Sequence, residues 1–231
     1  MQNLPNTIEE AMQKSAINPM FYCGPMKIQL PKSIMSHLTE ITESELNSIN
    51  KYDLRKEIVA RAFKGAGSFA IYHRIDDEFK NFLKECAVKY AELLNIKGQL
   101  FGSGDGAIQD KNDIIIRGCW GISNKEDDYN PLHFHFGKLS GVIYIKVPEQ
   151  IADGTREKEH GVPENHGLCD GRLEIIYGSN YPFNFGTIGH RKITPVEGDM
   201  YVFPAWTPHT VYPFKGEGER RIVSFNLDWK T

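Results

Sequence analysis

The stretch HFHFGKLSGVIYIKVP, residues 133–148, sets two histidines one residue apart at the mouth of an apolar, β-branched run. Imidazoles are poor material for a strand interior, so their place asks for a reason. In extended chain successive side chains alternate, which puts His133 and His135 on one face, their Cα atoms roughly 6.5–7 Å apart. Two imidazoles so spaced converge on one ion with bonds of about 2.0–2.1 Å. A third donor has to come from elsewhere, and His209 is the best placed. It lies in GDMYVFPAWTPHTVYPF, residues 198–214. There Gly198-Asp199 makes a turn, Met200 to Phe203 read as a buried strand, and Pro204 to Pro208 form a corner. His209 then opens the next strand. His160, His166 and His190 sit in polar loop context and read as solvated, and no role falls to His37 or His73.

Working outward, the chain after residue 100 is a series of short β-runs with turn punctuation: 114–122, 140–147, 172–178, 192–205, 209–214 and 220–229. Gly, Asp, Asn and Pro separate them, and no helical pattern intervenes. Such spacing predicts a mainly β domain with flanking helices, an antiparallel sandwich or barrel. Residues 148–171 are polar, glycine-rich and long for a connection, as a lid or a disordered loop would be. Before residue 100 the texture is helical. Glu78 to Asn95 carries apolar residues at three and four, an amphipathic stripe of Phe79, Phe82, Leu83, Cys86, Ala87, Tyr90, Leu93 and Leu94. Ser44 to Arg61 reads as a charge-rich helix, and MKIQLPKSIM as an early edge strand ended by Pro31. No linker divides the halves, so residues 1–231 read as one domain, with 1–100 supporting a β core in 101–231.

Composition excludes several classes. Charged residues make up 25% and the formal net charge is −3, which gives no footing for a nucleic-acid binder. No apolar run approaches the length of a transmembrane helix. The N-terminus lacks an apolar signal core, and the 4 scattered cysteines form no CxxC, which fits a reducing cytoplasm.

Taken in order, these blocks resemble the iron(II)- and 2-oxoglutarate-dependent oxygenase superfamily, over roughly residues 114–227. Its usual run is His-x-Asp/Glu, a distal His, then Arg or Lys about ten residues on. Here those places hold His133-Phe134-His135, His209, and Arg220 or Arg221. LSGVIYIKVP, GDMYVFPAWTPHTVYP and RRIVSFN are similar to a subgroup of such oxygenases from bacteria and their viruses. The resemblance implies a jelly-roll (double-stranded β-helix) core, iron(II), and a dioxygenase reaction that couples oxidative decarboxylation of 2-oxoglutarate to hydroxylation, with ascorbate as reductant. Its partners would be 2-oxoglutarate, dioxygen and a peptide or small-molecule substrate. Oligomeric state stays open, since residues 1–100 either support the barrel or make a dimer contact.

One departure from the family pattern matters. His135 stands where the superfamily has a carboxylate, so a bound ion would keep its full double charge. Two rivals follow. Gly198, Pro204 and His209 fit the spacing of a cupin motif, but Leu139 and Ser140 hold the place of its glutamate. His135-Phe136-Gly137 resembles the His-x-Gly of radical halogenases, in which halide fills the vacant position. For the distal carboxylate of 2-oxoglutarate a guanidinium fork is needed. Alternation in the last strand puts Arg221, Val223 and Phe225 together, and the RIxxSFN block selects Arg221, with Arg220 read as a surface residue at the loop end. Tyr144, on the face of Val142, either helps hold that carboxylate, as in relatives, or packs in the core. Trp120, Asn130 and Trp206 are candidates for the substrate mouth.

Overall fold

The last strand shows how sequence becomes architecture. RRIVSFNLDW alternates, and β11 (Arg220–Trp229) pairs antiparallel with β4 (Ile114–Asn124) on one side and β6 (Leu139–Lys146) on the other. Val223, Phe225, Leu227 and Trp229 enter one apolar cluster, while Ile222 enters a second. A strand buried on both faces belongs at the centre of a sheet covered on both sides. The structure, a computed structural model, describes residues 4–13, 16–17, 24–48, 67–93, 108, 110–152, 169–176 and 189–229.

The remaining strands are β1 (Ala16–Ile17), β2 (Met26–Gln29), β3 (Gly67–Ala70), β5 (Asn130–His133), β7 (Leu173–Ile176), β8 (His190–Ile193), β9 (Asp199–Pro204) and β10 (His209–Val211). They form a seven-stranded sheet, β1-β2-β9-β6-β11-β4-β3, and a four-stranded sheet, β5-β10-β7-β8. All of the pairings are antiparallel. Side chains from both sheets, among them Ile122, Val142, Phe203, Ile175 and Ile193, share the inner cluster. This is the expected mainly β jelly-roll with flanking helices.

The outer face of the large sheet is covered by α1 (Ile8–Gln13), α2 (Lys32–Ser48) and α3 (Asp77–Leu93). The amphipathic stripe predicted for α3 is the buried one, Phe79 through Tyr90, although Leu93 is exposed. Asp76 starts the helix by accepting the Phe79 N–H at 2.8 Å, and Asp77 and Glu78 favour the positive end of its dipole. Ile34, Leu38 and Ile41 do the same covering work from α2. A short α4 (Glu149–Ala152) follows β6.

Several expectations need correction. The second helix begins at Lys32, not Ser44; residues 49–61 lie outside the described residues. β2 is not an edge strand, since β1 pairs along its other side. The single run 192–205 is two strands in different sheets, with Gly198 turning at φ 81° between them. His190 is in β8, not a loop. Of the expected 148–171 loop, residues 153–168, with His160 and His166, lie outside the described residues. Most consequential is β5. Pro131 hides it in the sequence, yet as an edge strand of the small sheet it tolerates a proline. His133 therefore closes a strand of the small sheet instead of opening the LSGVIYIK strand of the large one.

Two glycines in the large sheet lie beneath aromatic rings: a Cβ on Gly141 would sit 2.2 Å from the Phe225 ring, and one on Gly121 would sit 2.3 Å from Phe69. Gly141→Ala is expected to destabilise the protein by ~1–3 kcal/mol through overpacking, read from urea unfolding. Adding Phe225→Leu should recover part of that loss.

Candidate active site

Where β5 leaves the small sheet for β6 of the large one, three imidazoles meet. His133 and His209 are direct cross-strand partners of β5 and β10, which brings their ring centroids to 4.2 Å. His135 lies two residues on, its backbone N–H held by the Ala205 carbonyl at 2.8 Å. Its ring centroid is 5.0 Å from His133 and 5.1 Å from His209. The chain stays extended through the link, so Leu132, Phe134 and Phe136 point out to solvent while His133 and His135 turn inward. The ligand atoms of the three all lie within 4.8 Å of one another, and among the described residues no other group of three metal-competent side chains does so.

Hydrogen bonds set the tautomers. A carbonyl only accepts, so His133 Nδ1 donates to the Pro131 carbonyl at 2.6 Å and His209 Nδ1 donates to the Thr207 carbonyl at 2.9 Å. Each ring therefore keeps its Nε2 lone pair, the usual way a second partner prepares a histidine for a metal. Burial lowers the affinity of all three for protons: His135 falls to about 4 and His209 to about 3, and His133 falls as well. His133 also disfavours a positive charge on His135 and His209, and His135 disfavours one on His209. Three neutral nitrogen donors in one desolvated corner suit a divalent ion that brings its own charge, so the donor set fits iron(II). Among the described residues no carboxylate joins the cluster. The position of the cupin glutamate holds Leu139, buried in the outer core, and Ser140, bonded to the Phe225 carbonyl. Gly137, the vacant place in the halogenase reading, is a turn residue at φ 105° backed against the Leu227 carbonyl, and His133 completes the donor set without it.

The histidines stand in a cavity of about 1010 Å³ whose lining includes Trp120, Asn130, Tyr144, Ser224 and Arg220. Here the structure corrects the arginine. Alternation in β11 is as expected, but the face of Val223 and Phe225 is the outer one, so Arg221 points to the helices. It binds Glu219 through Nε at 2.9 Å and Nη2 at 2.7 Å, and Glu43 of α2 through Nη1 at 2.5 Å. Arg220 is the residue that faces in. It is fully buried, donating to the Gly171 carbonyl at 2.7 Å and Asn124 Oδ1 at 2.6 Å, while its Nε has no acceptor among the described residues. Burial lowers its affinity for protons to about 10, which still leaves it charged at neutral pH. Burial also pushes the Tyr144 phenol well up, so it remains a donor. An unpaired buried N–H costs about 1–3 kcal/mol, which a carboxylate acceptor in the cavity would recover.

Trp120 packs 5.7 Å from the His135 ring. Trp206 lies at the corner between β9 and β10, 54% exposed, and does not line the cavity. Glu45, Ser68, Phe69 and His73 do line it. Sequence reasoning missed these four, since no local pattern marks them; the packing of α2 and β3 on the core brings them there.

His209→Ala should abolish metal retention, measured as iron per protein after gel filtration, whereas His135→Asp should keep it. The protonation shifts also carry a sign. Below pH 6.5 the unfolded chain binds protons that the folded histidines refuse, so stability of the metal-free protein is lost as pH falls from 6.5 towards 3. His209 alone should account for about 2 kcal/mol between pH 7 and pH 5, read as the difference in urea unfolding between the native chain and His209→Leu.

No curated protein matches this chain. Residues 118–226 match the family model described as "Putative 2OG-Fe(II) oxygenase". Among solved structures, a prolyl-4-hydroxylase of Pseudomonas putida is 12% identical with a TM-score of 0.54, covering 97% of this chain and 100% of that one. AviO1 from Streptomyces viridochromogenes Tue57 is 13% identical with a TM-score of 0.54, covering 98% and 96%. A prolyl hydroxylase from Trichoplax adhaerens, in complex with a hypoxia inducible factor oxygen degradation domain peptide fragment, is 14% identical with a TM-score of 0.52, covering 96% and 88%. At such identities the likeness shows a shared fold. The matched residues 118–226 carry the three histidines and the buried arginine, so the family likeness falls on the segment that builds the site.

Proposed function

We propose that this protein is a hydroxylase in which His133, His135 and His209 hold iron(II), and Arg220 with Tyr144 holds the distal carboxylate of 2-oxoglutarate. The observation that carries the reading is one cavity walled by both a neutral three-imidazole cluster and a buried guanidinium with an unanswered N–H. When bound, iron(II) and 2-oxoglutarate supply the oxidising power, taking up dioxygen and releasing succinate and carbon dioxide as the substrate gains a hydroxyl.

The chain's own residues do the rest. The three imidazoles would hold the ion, and they line the same cavity as Arg220 and Tyr144. Arg220 cannot turn away, because the Gly171 carbonyl and Asn124 fix its fork, so a carboxylate paired with it has one orientation. Tyr144 donates its hydroxyl from the neighbouring strand. Trp120, Phe203 and Ile222 make the walls apolar, which excludes water and strengthens each charge interaction inside. Asn130 and the N-terminal group of Glu45, Ser68 and His73 give the substrate polar contacts. We assign the substrate to the peptide or protein class: the cavity is bordered by exposed Phe134 and Phe136, which suits a chain segment. Residues 1–231 act as one domain in this reading, since α1, α2 and α3 share the core of the large sheet. Among the described residues no helix is long and apolar enough to cross a membrane, and Cys86, Cys119 and Cys169 are free thiols, in keeping with a cytoplasmic setting.

Purified protein given iron(II), ascorbate, oxygen and 2-oxoglutarate should accumulate succinate slowly even without substrate; its absence would contradict the reading. Anaerobic addition of 2-oxoglutarate to the iron(II) protein should raise a weak visible charge-transfer band. The arginines separate cleanly. Arg220→Ala should raise the 2-oxoglutarate requirement at least about 30-fold, the loss of a buried charge partner, while sparing metal content. Arg221→Ala should leave that requirement unchanged and lower stability by ~3 kcal/mol, because Glu219 loses its main partner.

A further inference from the structure

We propose that Asn130 is a fourth protein ligand to the metal, binding through Oδ1 beside His133 and exchanging out when the cavity fills. This rests on His133, His135 and His209 as the primary ligands. His133 Nδ1 is taken by the Pro131 carbonyl, so Nε2 is the nitrogen left for an ion. The Asn130 amide sits at that same nitrogen, Nδ2 being 3.1 Å from His133 Nε2. Two ligands at right angles on an ion with bonds of about 2.1 Å lie about 3.0 Å apart. The amide thus already stands at the spacing of an adjacent coordination position.

Its backbone is held there. Asn130 lies in β5 opposite Val211 of β10, and its carbonyl accepts the Thr210 hydroxyl at 2.9 Å. Only the side chain has to change. A cation on the Nε2 lone pair repels the N–H that now faces it. A half turn of the amide, a soft torsion, replaces that donor with the carbonyl oxygen at nearly the same point. A neutral amide oxygen binds more weakly than the three imidazoles, so it is the ligand that yields to an incoming group. The protein would then hold its ion by four contacts at rest and by three when working. The spacing could also arise if the amide merely covers the lone pair until an ion displaces it, and the two cases differ in sign.

The test is Mn(II) alone, titrated against the full chain and followed by the EPR signal of the free ion, in the native protein, Asn130→Ala, Asn130→Asp and His209→Ala. Asn130→Ala should weaken Mn(II) binding about tenfold, as loss of a supporting group does at metal sites. Asn130→Asp, which puts a charged oxygen at that place, should bind at least as tightly as the native chain. Asn130→Ala binding equal to or tighter than native would overturn the proposal, since a mere cover impedes the ion. Weaker binding by Asn130→Asp would overturn it too, and decides the matter should the alanine variant fail to fold. His209→Ala separates the two levels: loss of Mn(II) there with no effect at Asn130 refutes only the fourth ligand, whereas native binding by His209→Ala refutes the underlying metal reading as well.

Discussion

Everything at this site depends on keeping three imidazoles neutral and close in a corner that water reaches poorly. Burial alone favours the neutral ring, and at His135 and His209 a neighbouring ring adds to it by opposing a second charge. The fold achieves closeness by making His133 and His209 cross-strand partners and by pinning the backbone of His135 to the Ala205 carbonyl. Both devices lie on the link between the two sheets, so the cluster is as rigid as the way the sheets close on each other. Such an arrangement stores a preference for a divalent ion: the cost of desolvating three polar rings is met when a cation uses their lone pairs.

Two adjacent arginines show how a strand divides labour. Arg220 faces the cavity and donates to neutral acceptors; the buried Asp128 carboxylate favours its charge from nearby, and its Nε–H is the donor left for a ligand. Arg221 faces the helices and is matched by Glu219 and Glu43, so its charge is consumed in clamping α2 to β11. That clamp also serves the site indirectly, because α2 carries Glu45 into the cavity wall two residues after Glu43. The helical first part of the chain is therefore both a cover for the outer core and a contributor to the mouth.

Much of this was legible in the residues. The HxH pair with a distal His209 pointed to one cluster, and the period-two runs pointed to antiparallel sheets. The stripe of α3 located its buried face. What failed did so for physical reasons. Period two reveals that Arg220 and Arg221 face opposite ways, but a strand buried on both sides offers no contrast to say which way is inward. β5 carries a proline and lies at an edge, so propensity argues against it although pairing with β10 holds it. Thr194 to Glu197 look strand-like by composition, yet the turn at Gly198 sends the chain from one sheet to the other. Glu45, Ser68 and His73 reach the cavity through tertiary packing, which leaves no local signature.

The most direct measurement is a crystal structure of the protein prepared without oxygen in iron(II) and 2-oxoglutarate. The account predicts one ion bound by the rings of His133, His135 and His209, with the far carboxylate of 2-oxoglutarate on Arg220 and Tyr144. An ion bound elsewhere, or a carboxylate seated away from Arg220, would contradict it.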